Sequence, residues 1–314
     1  MMRNKTVDAL KGYAIILVVI GHAIENIVYG QNNKVDEFVN SFHMPLFMFL
    51  SGYVIFGRVT KPWSRWIWIR AERLLIPYIV WLFISNWLIP NKIFFFNDFF
   101  SLNGLWFLMV LFILYCILLI IRYLKKYLGY FAYIWIFLFL LILPVYGLWW
   151  CDYYLRWHYI FFFAGYLIAE HRAKLPIIGF KSKLLFCGLF IACFFLLPYQ
   201  SYSKDILITS PLKWTFNLTI ACLGIAASYS LISWFADKWI FRLLSFLGLY
   251  TLEIYVMHPI LLRVGVLPDL DFGFYPALIF NTLFTLCSSV VIAWVIRRST
   301  TLKLIFFGLR EKHV

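Results

Sequence analysis

The chain has 314 residues, of which 64% are hydrophobic and only 13% are charged. An ordinary soluble domain carries about 25% charged residues, so this composition excludes a soluble enzyme, a disordered chain and a disulfide scaffold. A membrane-spanning helix needs about 20 apolar residues, and the chain has enough apolar sequence for many of them. Because no long polar stretch interrupts it, we predict a multi-pass membrane protein forming one domain over residues 1–314, with no appended soluble domain.

Apolar runs recur along the whole chain, each followed by a short polar or turn-forming link. They cover residues 10–24, 42–57, 74–90, 104–121, 129–148, 156–170, 184–198, 213–235, 243–262 and 275–296. Backbone groups in lipid must bond within their own segment, so these runs predict an all-α bundle of about ten transmembrane helices. The basic start and first run resemble a signal peptide, but no small-residue cleavage site follows, and we expect a retained first helix.

The positive charges indicate how the bundle is oriented. Most of the 28 lysines and arginines fall in alternate links, and basic residues are retained on the cytoplasmic side of a membrane. Both termini are therefore predicted to be cytoplasmic. The net charge of +14 is explained by these basic links on the cytoplasmic side. We therefore expect no nucleic-acid partner. The six cysteines show no paired spacing, so we expect packing residues and no metal site.

The first run carries four ionisable residues on one side of the predicted helix. Lys11 and His22 lie about 20° from each other around the axis and about 16 Å apart along it. Asp8 and Glu25 lie within about 60° of the same line. A lone buried histidine is more often a packing residue, but four ionisable groups on one face indicate function. His22 is suited to be a general base, and Glu25 to orient it.

Two more histidines and a glutamate lie inside apolar runs. His43 lies at the start of the second run, which is predicted to begin on the outer side of the membrane. It therefore either pairs with His22 at a similar depth or anchors its own helix. In the ninth run Glu253 is predicted mid-helix and His258 near the outer end. They lie about 140° apart around the axis, so they face different neighbours. An ionisable glutamate at membrane depth is costly and indicates function.

Three arginines lie at predicted membrane boundaries. Arg70 and Arg73 share one side of a helix just inside the cytoplasmic boundary. Ordinary cytoplasmic flanking charge explains them, and a clamp on the phosphate groups of a cytosolic donor is the functional alternative. Arg156 marks the outer mouth of the sixth run, near Trp149 and Trp150. Tryptophans there are suited to stack on a sugar ring, and an interfacial belt explains them equally well.

Several short motifs follow one another in a fixed order. They are Asp8-x-x-Lys11-Gly12 leading to Gly21-His22, Phe42-His43-Met-Pro-Leu-Phe with Leu50-Ser-Gly-Tyr53, Arg70-x-x-Arg73 with Leu-Leu-Ile-Pro-Tyr, Gly104-Leu-Trp106-Phe-Leu, the Phe163-Ala-Gly165 region and Leu252-Glu-Ile-Tyr255-Val-Met-His258. In this order and spacing they resemble acyltransferase family 3, from residue 6 to about residue 260. Within that family the chain is most similar to the fucose 4-O-acetylase-like group.

The resemblance implies transfer of an acyl group, acetyl in the simplest case, from cytosolic acetyl-CoA to a hydroxyl of a cell-surface or lipid-linked glycan. We expect this to take place in a bacterial cytoplasmic membrane. Carried over by motif, His22 is the catalytic histidine, Lys11 its motif partner, and Arg70 and Arg73 bind the donor. Lys11 departs from the usual arginine, because lysine is a point charge without a bidentate fork.

The expected site follows from the residues and the resemblance together. The catalytic residues are His22, Lys11, Asp8, Glu25, His43 and Glu253, the donor-binding residues Arg70 and Arg73, and the acceptor-binding residues Trp106, Arg156 and His258. Ser51, Trp106 or a backbone amide are candidates to stabilise the oxyanion, and direct transfer and an acetyl-histidine intermediate are both open. The competing hypothesis is a secondary transporter or flippase that uses the same polar face, against which stands the absence of evident repeats.

Overall fold

The computed structural model describes residues 4–27, 34–88, 105–142, 152–176, 178–196, 210–236, 238–264 and 273–310. These described ranges contain α-helices and no β-strand, as the apolar runs predicted. The helices are α1 (Lys5–Ile27), α2 (Lys34–Ile55), α3 (Trp63–Leu88), α4 (Trp106–Leu128), α5 (Phe131–Ile142), α6 (Asp152–His171), α7 (Phe180–Leu196), α8 (Pro211–Trp234), α9 (Trp239–Leu247), α10 (Thr251–Val264), α11 (Phe274–Ile296) and α12 (Thr300–Phe307).

Long apolar helices dominate the part of the chain that the structure describes. Five of them, α1, α2, α4, α8 and α11, are long and apolar enough to cross a membrane, and α9 with α10 would make a sixth, broken span. This supports a multi-pass membrane protein. The prediction of about ten spans with both termini cytoplasmic stays a prediction.

The ninth predicted run is two helices, α9 and α10, which meet at a bend of 76°. After Leu247 the backbone N–H groups of Leu249 and Tyr250 donate to carbonyls three residues back, and such tight turns end a helix. The prediction that Glu253 lies mid-helix is therefore wrong, because Glu253 lies in the first turn of α10. A carboxylate is favoured there by the partial positive charge of the helix N-terminus.

The helices form two compact units, of which the first comprises residues 1–50 and 168–290. In it α1 packs against α8, α9 and α10, and α7 packs against α8. Two glycines allow α1 and α9 to touch backbone to backbone. A Cβ on Gly12 would overlap the carbonyl of Leu244, and a Cβ on Gly248 would overlap the carbonyl of Asp8. Small residues at such crossings permit the close packing of membrane helices.

The second unit comprises residues 51–167 and 291–314. In it α3 packs against α4 and α12, and α4 packs against α5. The indole N–H of Trp81 on α3 donates to the backbone carbonyl of Phe306 on α12, at 2.9 Å. Just beyond α12, Arg310 forms an ion pair with Glu72 at 2.5 Å. These contacts fix the part of α3 that carries the arginine motif.

Candidate active site

The side chains of His22 and Glu25 are joined by a hydrogen bond near the end of α1. His22 Nδ1 lies 2.8 Å from Glu25 Oε2, one helical turn later, and 34% of the histidine side chain is exposed. A carboxylate only accepts hydrogen bonds, so Nδ1 carries the proton and the lone pair of the neutral ring is on Nε2. The contact expected from the sequence spacing is present, while its catalytic role stays a prediction.

A second imidazole, that of His258 on α10, packs against His22. The two ring centroids are 4.9 Å apart with an interplanar angle of 33°. His258 is fully buried, and its Nδ1 donates to the carbonyl of Tyr255 at 2.6 Å. Its Nε2 is buried and finds no hydrogen-bond partner in the part of the chain that the structure describes. Sequence reasoning assigned His258 to the acceptor, and missed that the crossing of α1 and α10 would bring it to His22.

His43 lies in the same region of the first unit. It is buried on α2, and its Nδ1 donates to the backbone carbonyl of Val39 at 2.7 Å. It is close enough to His22 and Glu25 for their charges to interact. The ring is thus anchored to its own helix, whereas its pairing with His22 stays a prediction.

Lys11 and Asp8 lie at the other end of α1. Since α1 is a continuous helix, Lys11 is about 16 Å from His22 along the axis, too far for a direct contact. Asp8 lines a cavity of about 540 Å³ between the start of α1 and α9. The other lining residues are Lys5, Phe241, Arg242, Ser245, Phe246 and Leu249. The predicted polar face of α1 thus divides into a histidine group near the end of the helix and an Asp8 group near its start.

Glu253 is 2% exposed and lies five residues before His258 on α10. That spacing keeps the two side chains about 140° apart around the helix axis, as the sequence indicated. Glu253 therefore points to a different neighbour from the one that His258 meets.

In the second unit, Arg70 lies among aromatic and basic side chains. Its guanidinium carbon is 5.3 Å from the centroid of the Trp66 ring, a cation–π contact. Its Nε is buried, and no described residue forms a hydrogen bond with it. The acidic residue of the motif, Glu72, accepts instead from Trp68 at 2.7 Å and pairs with Arg310. Glu72 therefore does not neutralise the motif arginines.

The electrostatic surroundings of Arg70 are positive. Arg70 precedes the apolar run that begins at Leu74, and burial lowers the pKa of its guanidinium. Tyr115 opposes this shift, and the charges of Arg73 and Arg58 add to it. Sequence reasoning counted Arg58 only as flanking charge and missed its place in this cluster. A half-buried guanidinium that repels two others is suited to bind an external anion such as phosphate.

The acceptor residues predicted from the sequence are not grouped in one unit. Trp106 stacks on Tyr154, with ring centroids 4.5 Å apart, and lies 4.8 Å from the His158 ring. Arg156 lies on the same helix, α6, between these two ring partners, and residues two apart on a helix project in different directions. Trp106 and Arg156 belong to the second unit, whereas His258 belongs to the first. Gly104, Trp149 and Trp150 lie outside the described residues.

Nothing in the described ranges groups three or more histidine, cysteine, aspartate or glutamate side chains as a metal site would require. The five cysteines that the structure describes are free thiols.

A family model described as an acyltransferase domain matches residues 4–298. The chain belongs to acyltransferase family 3. All the candidate residues above fall inside the matched range. Together with the long apolar helices, this makes the protein a multi-pass membrane acyltransferase.

Two curated relatives match part of the chain. Nodulation protein NolL of Sinorhizobium fredii is 39% identical over 88 residues, and nodulation protein NolL of Mesorhizobium japonicum is 35% identical over 88 residues. In both cases the match covers 25% of this chain and 23% of the relative, so the chain spans about a quarter of the length of these relatives. No solved structure matches.

Proposed function

We propose that the protein transfers an acyl group, acetyl in the simplest case, from cytosolic acetyl-CoA to a hydroxyl of a cell-surface or lipid-linked glycan, with His22 as the general base. The observation that carries this proposal is the hydrogen bond between His22 and Glu25. It supplies what a base needs, namely a fixed tautomer with the lone pair on Nε2. Family membership supplies the class of reaction.

The proposed transfer uses one proton twice. Nε2 of His22 takes the proton of the acceptor hydroxyl as the oxygen attacks the thioester carbonyl. The carbon–oxygen bond forms, the carbon–sulfur bond breaks, and the imidazolium of His22 returns the proton to the departing thiolate. Glu25 stabilises the imidazolium while it exists, and the His258 ring packed against His22 keeps water from that side.

The arginine cluster is the proposed site for the phosphate groups of the donor. Arg70 and Arg73 supply forked donors, and Arg58 adds a third positive charge. The engagement of Glu72 by Arg310 supports this role, because it removes the nearest competing anion from the motif. The ring of Trp66 holds the Arg70 guanidinium from one side.

The acceptor is proposed to bind on the outer side of the membrane. Trp106, with Tyr154 and His158, forms a stacked aromatic group suited to a sugar ring, and Arg156 lies on the same helix. A glycan is therefore the acceptor class that this part of the second unit supports best.

The proposal is tested with purified protein in liposomes and radiolabelled acetyl-CoA. We expect saturable binding of acetyl-CoA, slow hydrolysis of the thioester without acceptor, and label transfer when a lipid-linked or soluble oligosaccharide is added. Liposomes that take up the oligosaccharide without consuming acetyl-CoA would instead support the transporter hypothesis. Well-folded protein that neither binds nor cleaves acetyl-CoA would overturn the proposal.

A further inference from the structure

Helix α11 carries a row of buried polar side chains that the proposed mechanism does not use. Asn281, Thr282, Thr285 and Ser289 are 1%, 7%, 0% and 0% exposed. The side-chain amide of Asn281 and the three hydroxyls are buried and have no hydrogen-bond partner among the described residues. Buried polar groups in proteins are normally satisfied by a protein group, ordered water or a ligand. Four such groups on one helix therefore indicate that something polar binds there.

The four side chains share one face of α11. At about 100° per residue they fall within an arc of about 100°, and Leu278 lies inside the same arc. Leu278 belongs to an apolar cluster with Ala23 and Ile24 of α1 and Leu262 of α10. The polar row therefore begins next to the helices that carry His22 and His258.

The row begins at the level of the histidine pair. The apolar cluster joins the end of α1 and the end of α10 to the beginning of α11, and its members Ala23 and Ile24 directly follow His22. Asn281 follows Leu278 by about one turn of α11, and His258 precedes Leu262 by about one turn of α10. From Asn281 to Ser289 the row extends about 12 Å along the axis.

We infer that this polar face of α11 binds the thin, amide-containing arm of the acyl-coenzyme A donor and leads its thioester to His22. The inference rests on the proposed function. The four groups are uncharged and both donate and accept hydrogen bonds, as do the amides and hydroxyl of that arm. They are arranged in a line along the helix, which fits an extended chain.

A sugar ring fits the same surface less well. Carbohydrate sites combine hydrogen-bonding groups with an aromatic platform, and from residue 281 to residue 289 no aromatic side chain lies inside this arc. A phosphate group would require positive charge, and the arc holds none. The face is therefore specific for a neutral, extended partner.

The test uses the full chain in nanodiscs and three probes, which are acetyl-CoA, S-acetylpantetheine and the adenosine bisphosphate half of coenzyme A. We compare the wild type with Thr285→Val and with a triple variant carrying Asn281→Leu, Thr285→Val and Ser289→Ala. Thr285→Ser keeps the hydroxyl, and Ser288→Ala removes a neighbouring hydroxyl that is only half-buried. These two variants are the matched controls.

We expect the triple variant to lose about tenfold or more in affinity for acetyl-CoA and S-acetylpantetheine, because each lost hydrogen bond contributes several-fold. Thr285→Val should show a smaller loss of the same kind. Affinity for the adenosine bisphosphate should be unchanged in every variant. The two control variants should bind all three probes with wild-type affinity. Unchanged S-acetylpantetheine binding in the triple variant would overturn the inference and leave ordered water as the partner of the row.

An equal loss of adenosine bisphosphate binding would also overturn it, because the effect would not be specific to the arm. The proposed function is judged separately, by the wild type. If wild-type protein binds acetyl-CoA and the variants bind it equally well, only the inference about α11 fails. If the wild type itself binds no acetyl-CoA, the proposed function fails.

Discussion

His22 and Arg70 differ in the charged side chains that surround them. At His22 the partner is local, because Glu25 lies one turn later on the same helix and accepts the Nδ1 proton. At Arg70 the local carboxylate, Glu72, is engaged by Arg310, and the nearby charges of Arg73 and Arg58 repel the Arg70 guanidinium. One group has its counter-ion built in, and the other has a surplus of positive charge.

This difference separates two kinds of functional group. A side chain that gains a proton during a reaction needs a partner for the charged state within its own structure. A side chain that binds an anionic substrate must instead keep its charge available until the substrate arrives. The histidine group is therefore suited to the chemical step, and the arginine group to binding the donor.

The largest effect is expected for His22→Ala. Removal of a general base lowers a reaction rate by about 10²- to 10⁴-fold, so acyl transfer should fall to near the background rate. Binding of acetyl-CoA should be unchanged. The measurement is label transfer at saturating acetyl-CoA, with His171→Ala at the end of α6 as the histidine control.

The Arg70→Ala/Arg73→Ala pair should act on binding. Loss of two charge-assisted contacts should weaken acetyl-CoA binding by about a hundredfold or more, and added salt should weaken wild-type binding in the same direction. Arg65→Ala is the matched control, since Arg65 is an exposed arginine of the same helix. Equal affinities of the pair variant and Arg65→Ala for acetyl-CoA would show that Arg70 and Arg73 are only flanking charges that orient the helix in the membrane.

Glu25→Gln should lower the transfer rate by about ten- to a hundredfold without changing donor affinity. The glutamine amide can donate to Nδ1, which favours the tautomer with the proton on Nε2 and leaves no lone pair there for the acceptor. Glu37→Gln removes a carboxylate that pairs with Lys34 on α2, and should have no effect. A full rate in Glu25→Gln would show that the hydrogen bond is only structural.

The smallest change is expected in stability, at the crossing of α1 and α9. Gly12→Ala forces a methyl group onto the Leu244 carbonyl and should destabilise the protein by about 1–3 kcal/mol. Gly188→Ala on α7 meets nothing within 4 Å and should be neutral or slightly stabilising. Thermal unfolding in detergent measures both, and equal midpoints would contradict the close crossing.

Much of the helix pattern and the polar face of α1 could be predicted from the sequence, because both depend on local spacing. The break between α9 and α10 could not, since the residues around it read as one apolar run. At the break the backbone of Gly248 packs closely on that of Asp8, more than 200 residues away in the chain, and such a contact cannot be predicted from local spacing.

The partners of the site residues were also hidden for this reason. Nothing near His258 in the sequence indicates that its ring meets His22, and nothing near Glu72 indicates Arg310. The polar row of α11 was overlooked because asparagine, threonine and serine are uncharged and were read as part of an apolar run. Only their burial without partners distinguishes them from ordinary helix residues.

The most direct test of the account measures binding and transfer in one preparation. Wild type, His22→Ala and Arg70→Ala/Arg73→Ala are reconstituted at equal density, and acetyl-CoA affinity and the single-turnover rate of label transfer are determined for each. The account predicts that His22→Ala binds acetyl-CoA normally and does not transfer, whereas the arginine pair loses affinity and regains transfer when acetyl-CoA is raised. Normal single-turnover transfer by a well-folded His22→Ala protein would contradict it.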